Sequence, residues 1–410
     1  MEYEEGLMER ADWGKYRLYE LLAQPDVQDM TVVDLSDRLA LSYNATYGVF
    51  CEVLNDIMTI LQQPRQVVRK QVLAARPLPV SLEAYRAFLV RRSINFQLLD
   101  YLLQAPAPEL AQFCENCFTT RSTTTRKLKR LNALLDNWGV TVVLRGMKLT
   151  GSEANVRSAL ADLFAWICAD GSWPFAKCPE VDMRHEYQAL SVVEEEPAVA
   201  WHSQLFLAVS HLRSRAHHHL IKTPMLRALS HTQGFADARR GEIQALMAPE
   251  TVALFNFIQV WHAHERTVLF AGEKREHPEW LQNEWSQPLL DQLTIAIRRL
   301  GYQVNTALRG ELTYLLGAYA LFTPPYHIAE QHAPMRQVGR LRRVLLAILQ
   351  GWPLSADFAS FRDYDQEFVA AICELVLLKG KSPGADTRRA SYSALIKLKA
   401  APTWFGLGIS

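Results

Sequence analysis

A mainly α-helical chain is predicted, with two N-terminal helix-turn-helix domains, the second of them winged, followed by two helical bundles. Three observations predict it. Apolar residues recur at three- and four-residue spacing through nearly the whole chain. A period of two replaces that spacing at one place, VTVVLRGMKLTG over 140–151. The strongest local concentration of charge lies immediately before that stretch.

Taken in order, Leu18, Leu21 and Leu22 mark a first short helix, Val33 to Leu41 a second, and Val49, Val53, Leu54 and Ile57 a third. Pro64 and RPLP (76–79) punctuate the end of this unit, placed at 1–80. Ile94, Leu98, Tyr101 and Leu102 form the face of the next helix, and QAPAP (104–108) breaks it. A short helix from Glu109 to Cys114, a turn to Phe118 and a long helix after it lead into two short strands around Arg145-Gly146. Ser152 is placed to cap a helix carrying Val156, Leu160, Leu163, Phe164 and Ile167. Helix, helix, turn, helix, hairpin is the order of a winged helix-turn-helix, placed at 81–178. Beyond it, helical stripes recur at Leu205, Val209 and Leu212; Leu289, Leu293 and Ile297; Leu312, Leu315 and Leu316; Leu341, Leu345 and Ile348; and Phe368, Ile372 and Leu375. They suggest bundles at 179–285 and 286–398, divided in the polar stretch between Arg275 and Gln287, with a tail at 399–410.

Composition narrows the function. The 410 residues are 49% hydrophobic and 21% charged, the balance of a folded soluble chain. The opening MEYEEGLMER is acidic and does not read as a signal peptide, and no apolar run approaches a membrane span. Six scattered cysteines suit a reducing, cytoplasmic compartment rather than a disulfide scaffold. Cys114 and Cys117 form a CxxC, but Cys168 and Cys178 are too distant in sequence for a zinc pattern. No phosphate loop, dinucleotide fingerprint or HExxH occurs. Neither an enzyme, nor a metal site, nor a cofactor is expected.

Net charge is only +1, from 44 basic and 43 acidic residues, so any argument for nucleic acid has to be local. Between Arg121 and Lys148 seven bases face one acid, Asp136, a local charge of +6. The segment STTTRKLKRLNALL (122–135) puts hydroxyls and a long donor on the first turns and leucines on the opposite side. A recognition helix reads base edges in the major groove of duplex DNA with its N-terminal residues. The candidate contacts are Arg121, Ser122, Thr123, Thr124, Thr125, Arg126, Lys127, Lys129 and Arg130, with Arg145 and Lys148 on the wing. The first unit differs: from Lys15 to Ile60 three bases meet seven acids, a charge of −4. Its third helix, YNATYGVFCEVLND, has no Lys or Arg; Tyr43, Asn44, Thr46 and Tyr47 are its candidates for backbone contact, against an equally weighted role in packing or partner binding. An RNA-binding antiterminator and a helical protein-interaction adaptor are the alternatives; the first needs a small β-rich N-terminal domain, and residues 1–80 read as helical.

The stretch LRGMKLTGSEANVRSALADLFAWICADGSWPF (144–175), with STTTRKLKRLNALL before it, resembles the Mga-type global regulators of Gram-positive bacteria. Gly151-Ser152-Glu153, Arg157 and Trp173-Pro174-Phe175 carry the resemblance, which covers about 85–178 and is weaker over 15–80. The resemblance implies a transcription regulator, often an activator, with two helix-turn-helix domains and two regulatory domains of the sugar phosphotransferase type. It implies histidine phosphorylation by a phosphocarrier protein and a homodimer or larger homo-oligomer. Many members end in a IIB-like domain, for which the residues after Leu378 leave no room. By the same resemblance His211, followed by Arg215 one helical turn on, is the first phosphoacceptor candidate, Arg215 being the partner that would respond to the phosphate. The run His217, His218, His219 is the alternative, with His262 and His264 behind it.

Overall fold

The computed structural model describes residues 3–24, 31–74, 78–190, 197–221, 248, 250–258, 287–321, 335–351 and 365–379. Among them the chain is mainly α-helical, with one two-stranded hairpin. The elements are α1 (Tyr3–Leu7), α2 (Arg10–Leu22), α3 (Val32–Leu39), α4 (Tyr43–Leu61), α5 (Arg65–Ala74), α6 (Leu82–Arg91), α7 (Ile94–Gln104), α8 (Leu110–Asn116) and α9 (Arg121–Leu135). There follow β1 (Thr141–Val143), β2 (Lys148–Thr150), α10 (Glu153–Ile167), α11 (Glu180–Leu190), α12 (Pro197–Arg215), a helical stretch over 250–258, α13 (Gln287–Arg299), α14 (Thr306–Leu321), α15 (Met335–Gly351) and α16 (Asp365–Lys379). The expected division between Arg275 and Gln287 and the tail at 399–410 lie outside the described residues, apart from Gln287 itself.

Two compact units emerge. The first holds the described residues up to Leu134, the hairpin from Val142 to Leu149, and Leu163–Pro174. In it α2, α3 and α4 pack on one another, α5 packs on α4, and α6 on α2. Apolar Leu18, Tyr19, Leu35, Phe50, Val53, Leu54 and Ile57 fill the interior between them. An ionic cluster sits beside them. Lys15 Nζ lies 2.6 Å from Asp12 and 2.9 Å from Asp56, all three buried. Arg92 bonds both carboxylates, and the Tyr85 hydroxyl donates to Asp56 at 3.0 Å. Two positive and two negative groups compensate one another, the condition under which buried charge is tolerated. Burial alone would raise the Asp12 pKa, but the bonds from Arg92 and Lys15 outweigh it and hold the carboxyl below its ordinary range. Burial, then Asp56, push the Tyr85 phenol upward, so it remains a donor.

The other unit holds Leu135–Thr141, Thr150–Asp162 and the described residues from Phe175 onward. Here α11 packs on α12, and α13 to α16 pack on one another through Leu289, Leu293, Ile297, Leu312, Leu316, Leu341, Leu345, Phe368 and Ile372. Every apolar stripe expected after residue 200 therefore has buried members. Arg157, in the first half of α10, is 1% exposed. Its Nε donates to Glu153 at 3.0 Å, and its terminal nitrogens donate to Thr251 Oγ1 at 3.1 Å and the His218 carbonyl at 2.9 Å. Arg213 closes on the same Glu153 carboxylate at 2.7 Å. Burial, opposed by Glu153, lowers the Arg157 pKa.

Candidate nucleic-acid interface

The α3–α4 and α8–α9 connections are built alike, at a constant offset of 78 positions. Ala40 (φ 54°) and Phe118 (φ 47°) each take the left-handed conformation. The next amide reaches back five residues in both, Leu41 to the Ser36 carbonyl at 3.0 Å and Thr119 to the Cys114 carbonyl at 2.9 Å. A hydroxyl then caps the following helix: Ser42 Oγ accepts from the Ala45 amide at 3.3 Å, Thr120 Oγ1 from the Thr123 amide at 3.2 Å. Four residues on, a threonine is buried in each helix, Thr46 and Thr124. Core residues follow at matching places: Phe50, Val53 and Ile57 in α4, Leu128, Leu131 and Leu135 in α9.

What α9 presents outward is its chemistry. Arg121, Ser122, Thr125, Arg126, Lys129 and Arg130 are exposed, a continuous stripe at helical spacing on the side opposite the leucines. Two expected contacts are placed elsewhere. Thr124 is 0% exposed, its hydroxyl donating to the Thr120 carbonyl at 3.0 Å, so it belongs to the core of the turn. Lys127 is half-buried and ion-paired with Glu9, the residue that precedes α2. Thr123 is half-buried, and the Thr125 hydroxyl donates to the Arg121 carbonyl at 2.8 Å while its side chain stays exposed. On α4 the matching stripe is Tyr43, Asn44, Tyr47, Gly48 and Glu52, with Tyr43 and Tyr47 stacked at 6.2 Å and no cation. Thr46, like Thr124, is interior.

Asn132 ties the hairpin to α9. Asn132 Nδ2 donates to the Val142 carbonyl at 3.1 Å, and Asn132 Oδ1 accepts from the Val142 amide at 2.9 Å. This two-way amide pairing fixes β1 against α9; the Leu131-Asn132 pair is visible in the sequence, but its role is not. Val142, Met147 and Leu149 point inward and Arg145 and Lys148 outward, the alternation that the period of two predicts. Gly146 (φ 84°) makes the tip. At the hairpin base Gly151 (φ 138°) has no substitute, since an added Cβ would stand 2.7 Å from the Gly139 carbonyl oxygen. Behind the helix, a Cβ on Gly6 would stand 2.8 Å from Leu134, so α1 packs directly on α9. Ser152 caps α10 as expected, accepting from the Asn155 amide at 3.2 Å.

The histidines have different surroundings. His211 Nε2 lies 2.6 Å from Glu186 Oε2 of α11, with both side chains largely buried. Arg215 does not join it in the described contacts; it donates to the Lys177 carbonyl at 2.9 Å and lies 3.8 Å from Cys178 Sγ. His217 (φ 60°) and His219 are exposed, their rings 6.5 Å apart. His218 is half-buried; burial, then Arg213, lowers its pKa. His262 and His264 lie outside the described residues. Among those residues no group of three or more His, Cys, Asp or Glu side chains is arranged to hold a metal ion, and no helix is long and apolar enough to cross a membrane.

A tight turn into a basic helix, backed by a buried leucine face and followed by a hairpin docked on it, defines a winged helix-turn-helix module. Residues 79–164, which contain α6 to α9, the hairpin and most of α10, match the family model described as the Mga helix-turn-helix domain. The chain is also 25% identical over 114 residues to the capsule synthesis positive regulator AcpB of Bacillus anthracis. That similarity covers 28% of this chain and 23% of AcpB.

Proposed function

We propose that this protein is a non-enzymatic, DNA-binding transcriptional regulator whose principal reader is α9. The observation that carries the reading is the exposed stripe of Arg121, Arg126, Lys129 and Arg130 on a helix whose other face is closed by leucines, within the stretch matching the Mga helix-turn-helix domain. Arg126 and Arg130 enter the major groove with Ser122 and Thr125 beside them, and Arg145 and Lys148 on the wing neutralise phosphates. Major-groove insertion of a helix favours duplex DNA over RNA, whose deep groove excludes it.

The architecture proposed around it has a first helix-turn-helix domain at 1–80, the winged domain at 81–178, two helical regulatory domains at 179–285 and 286–398, and a cytoplasmic homodimer or larger homo-oligomer. Carbohydrate status enters through phosphorylation of a histidine by a phosphocarrier protein, with His211 the first acceptor and His217, His218 and His219 the alternatives. A phosphoryl group on His211 would meet the Glu186 carboxylate and break that pairing by like-charge repulsion. Activation rather than repression follows the similarity to AcpB, a positive regulator of capsule synthesis.

The test is a mobility shift of the full chain on duplex DNA at two salt concentrations. Binding that falls steeply with salt and is lost on replacing Arg126 and Arg130 with Ala is the expected result. Salt-independent binding, or none, would end the reading. Phosphotransfer from the carrier protein, read by fragment mass spectrometry at neutral pH, assigns the histidine.

A further inference from the structure

The −4 charge of the first helical unit stops at Asp56. From Ile57 to Leu82 the sequence holds four bases, Arg65, Arg69, Lys70 and Arg76, and no acid. The structure turns part of this stretch into α5, which packs on α4 through buried Val68 and Val72. Arg65, Gln66, Arg69 and Lys70 are exposed. None of the three cations is matched with a carboxylate among the described residues, in contrast to Lys127, held by Glu9, and Lys15, held by Asp12 and Asp56.

We propose that α5 is a second DNA contact, a phosphate clamp in which Arg65, Arg69 and Lys70 bind the duplex backbone outside the bases read by α9. The inference rests on the DNA-binding reading above and extends it to a surface with no share in base recognition. Arg65 and Arg69 are one turn apart, about 6 Å along the helix axis. Neighbouring phosphates of one strand rise by about 3.4 Å along the duplex axis and stand roughly 7 Å apart in space, so the two guanidiniums suit adjacent phosphates of one strand. Side chains of this type at an exposed helix face position a protein on DNA without reading sequence. An anionic lipid surface is the other polyanion of similar charge density. A membrane-lying helix, however, needs an apolar face free for the acyl boundary. The apolar face of α5 is occupied by α4, and among its described side chains only Val67 is an exposed large hydrophobic.

The clamp also accounts for the chemistry of α4. Without a cation on its stripe, α4 offers the backbone hydrogen bonds from Tyr43, Asn44 and Tyr47 but no charge. The helix that follows it supplies the charge, so α5 contributes affinity and α9 contributes selectivity.

The experiment uses the full chain and a duplex selected from a random-sequence 40-base-pair pool by the wild-type protein. Affinity is measured across a salt series for wild type, for Arg65→Gln/Arg69→Gln/Lys70→Gln, and for the charge-retaining Arg65→Lys/Arg69→Lys/Lys70→Arg. Each lost phosphate contact lowers the slope of log K against log salt by about 0.9. The neutral variant is therefore expected to lose about 2–3 from the slope, with its preference for the selected duplex over a scrambled one intact. The charge-retaining variant should keep the wild-type slope, and hydroxyl-radical footprints should shorten at one flank in the neutral variant only. An unchanged slope and footprint in a wild type that binds DNA would overturn the clamp and leave α9 as the reader. Loss of sedimentation with phosphatidylglycerol vesicles, with the DNA slope intact, would overturn it in favour of a lipid surface. A wild type that selects no duplex at all would bring down the DNA reading itself, and the clamp with it.

Discussion

The helices α4 and α9 show how one backbone device is given two chemistries. Both follow a left-handed residue, a five-residue reach back to the preceding helix, a hydroxyl cap and a buried threonine, all at the same spacing. They differ in what stands where neither core nor turn constrains it. Tyr43, Asn44, Tyr47, Gly48 and Glu52 on α4 correspond to Arg121, Ser122, Thr125, Arg126 and Arg130 on α9. The anchoring differs as well: Asp56 in α4 stands where α9 has Leu134. One helix is held in part by an ionic cluster, the other by leucines. Turn geometry therefore does not distinguish the two helices, and it is exposed charge on a shared turn that makes α9 the reader in the proposed function.

The largest effect should come from the anchoring. Replacing Lys15 with Met leaves Asp12 and Asp56 without the ammonium between them. Breaking a buried pair in this way costs about 3–5 kcal/mol, and urea denaturation should show it in full. Leu134→Ala at the end of α9 should cost about 2–5 kcal/mol by cavity formation. If Lys15→Met unfolded no more easily than a surface variant, the ionic account of α4 would be wrong.

DNA affinity should divide the two helices next. Arg126→Ala and Arg130→Ala should each weaken binding by about 1–3 kcal/mol. Asn44→Ala and Tyr47→Ala should cost less than either arginine change, since neither removes a charge that releases counterions, and should alter sequence preference little. Equal losses from both pairs, measured on the same duplex, would make α4 a reader too.

Acid should separate the anchors by sign. The folded-state pKa of Asp12 lies below its unfolded value. Its contribution is therefore present above about pH 4 and is lost as pH falls through the folded value. Removing Lys15 raises that folded pKa toward the unfolded one. The acid limb of stability in Lys15→Met should then flatten relative to wild type, while Leu134→Ala keeps the wild-type limb at lower overall stability. Circular-dichroism melts between pH 6 and pH 2 would show this, and parallel limbs in all three proteins would refute it.

The smallest effect lies in the turns. Phe118 is 98% exposed and holds a left-handed conformation that costs an L side chain about 1–2 kcal/mol. Asparagine tolerates that region better, so Phe118→Asn should raise stability by up to about 1 kcal/mol with DNA affinity unchanged. A loss of affinity would mean that the exposed ring has a partner on the DNA or on another protein.

Much of this molecule was legible without coordinates. The leucine period of α9, the hairpin around Arg145-Gly146, the Ser152 cap and the +6 charge all depend on residues close in sequence, where spacing alone decides which side chains share a face. Other features were not legible, for one recurring reason. Helix α2 begins at Arg10, well before the leucines that announced it, because its first turns are buried as charges, Asp12 and Lys15, and pattern reading counts charges as solvated. Helix α5 passed unseen because only Val68 and Val72 of its described residues are buried, too few to set a period. Arg157 was conspicuous as a motif residue, and only the fold shows it enclosed, its charge shared through Glu153 with Arg213, 56 positions further on. Thr124 reads as one hydroxyl among four, and the turn alone sends it inward. Sequence determined what each helix could offer, because propensity, capping and charge are local. The tertiary structure decided which offers were spent on the interior: a polar group is buried only where a partner distant in sequence satisfies it, and no local pattern carries that information.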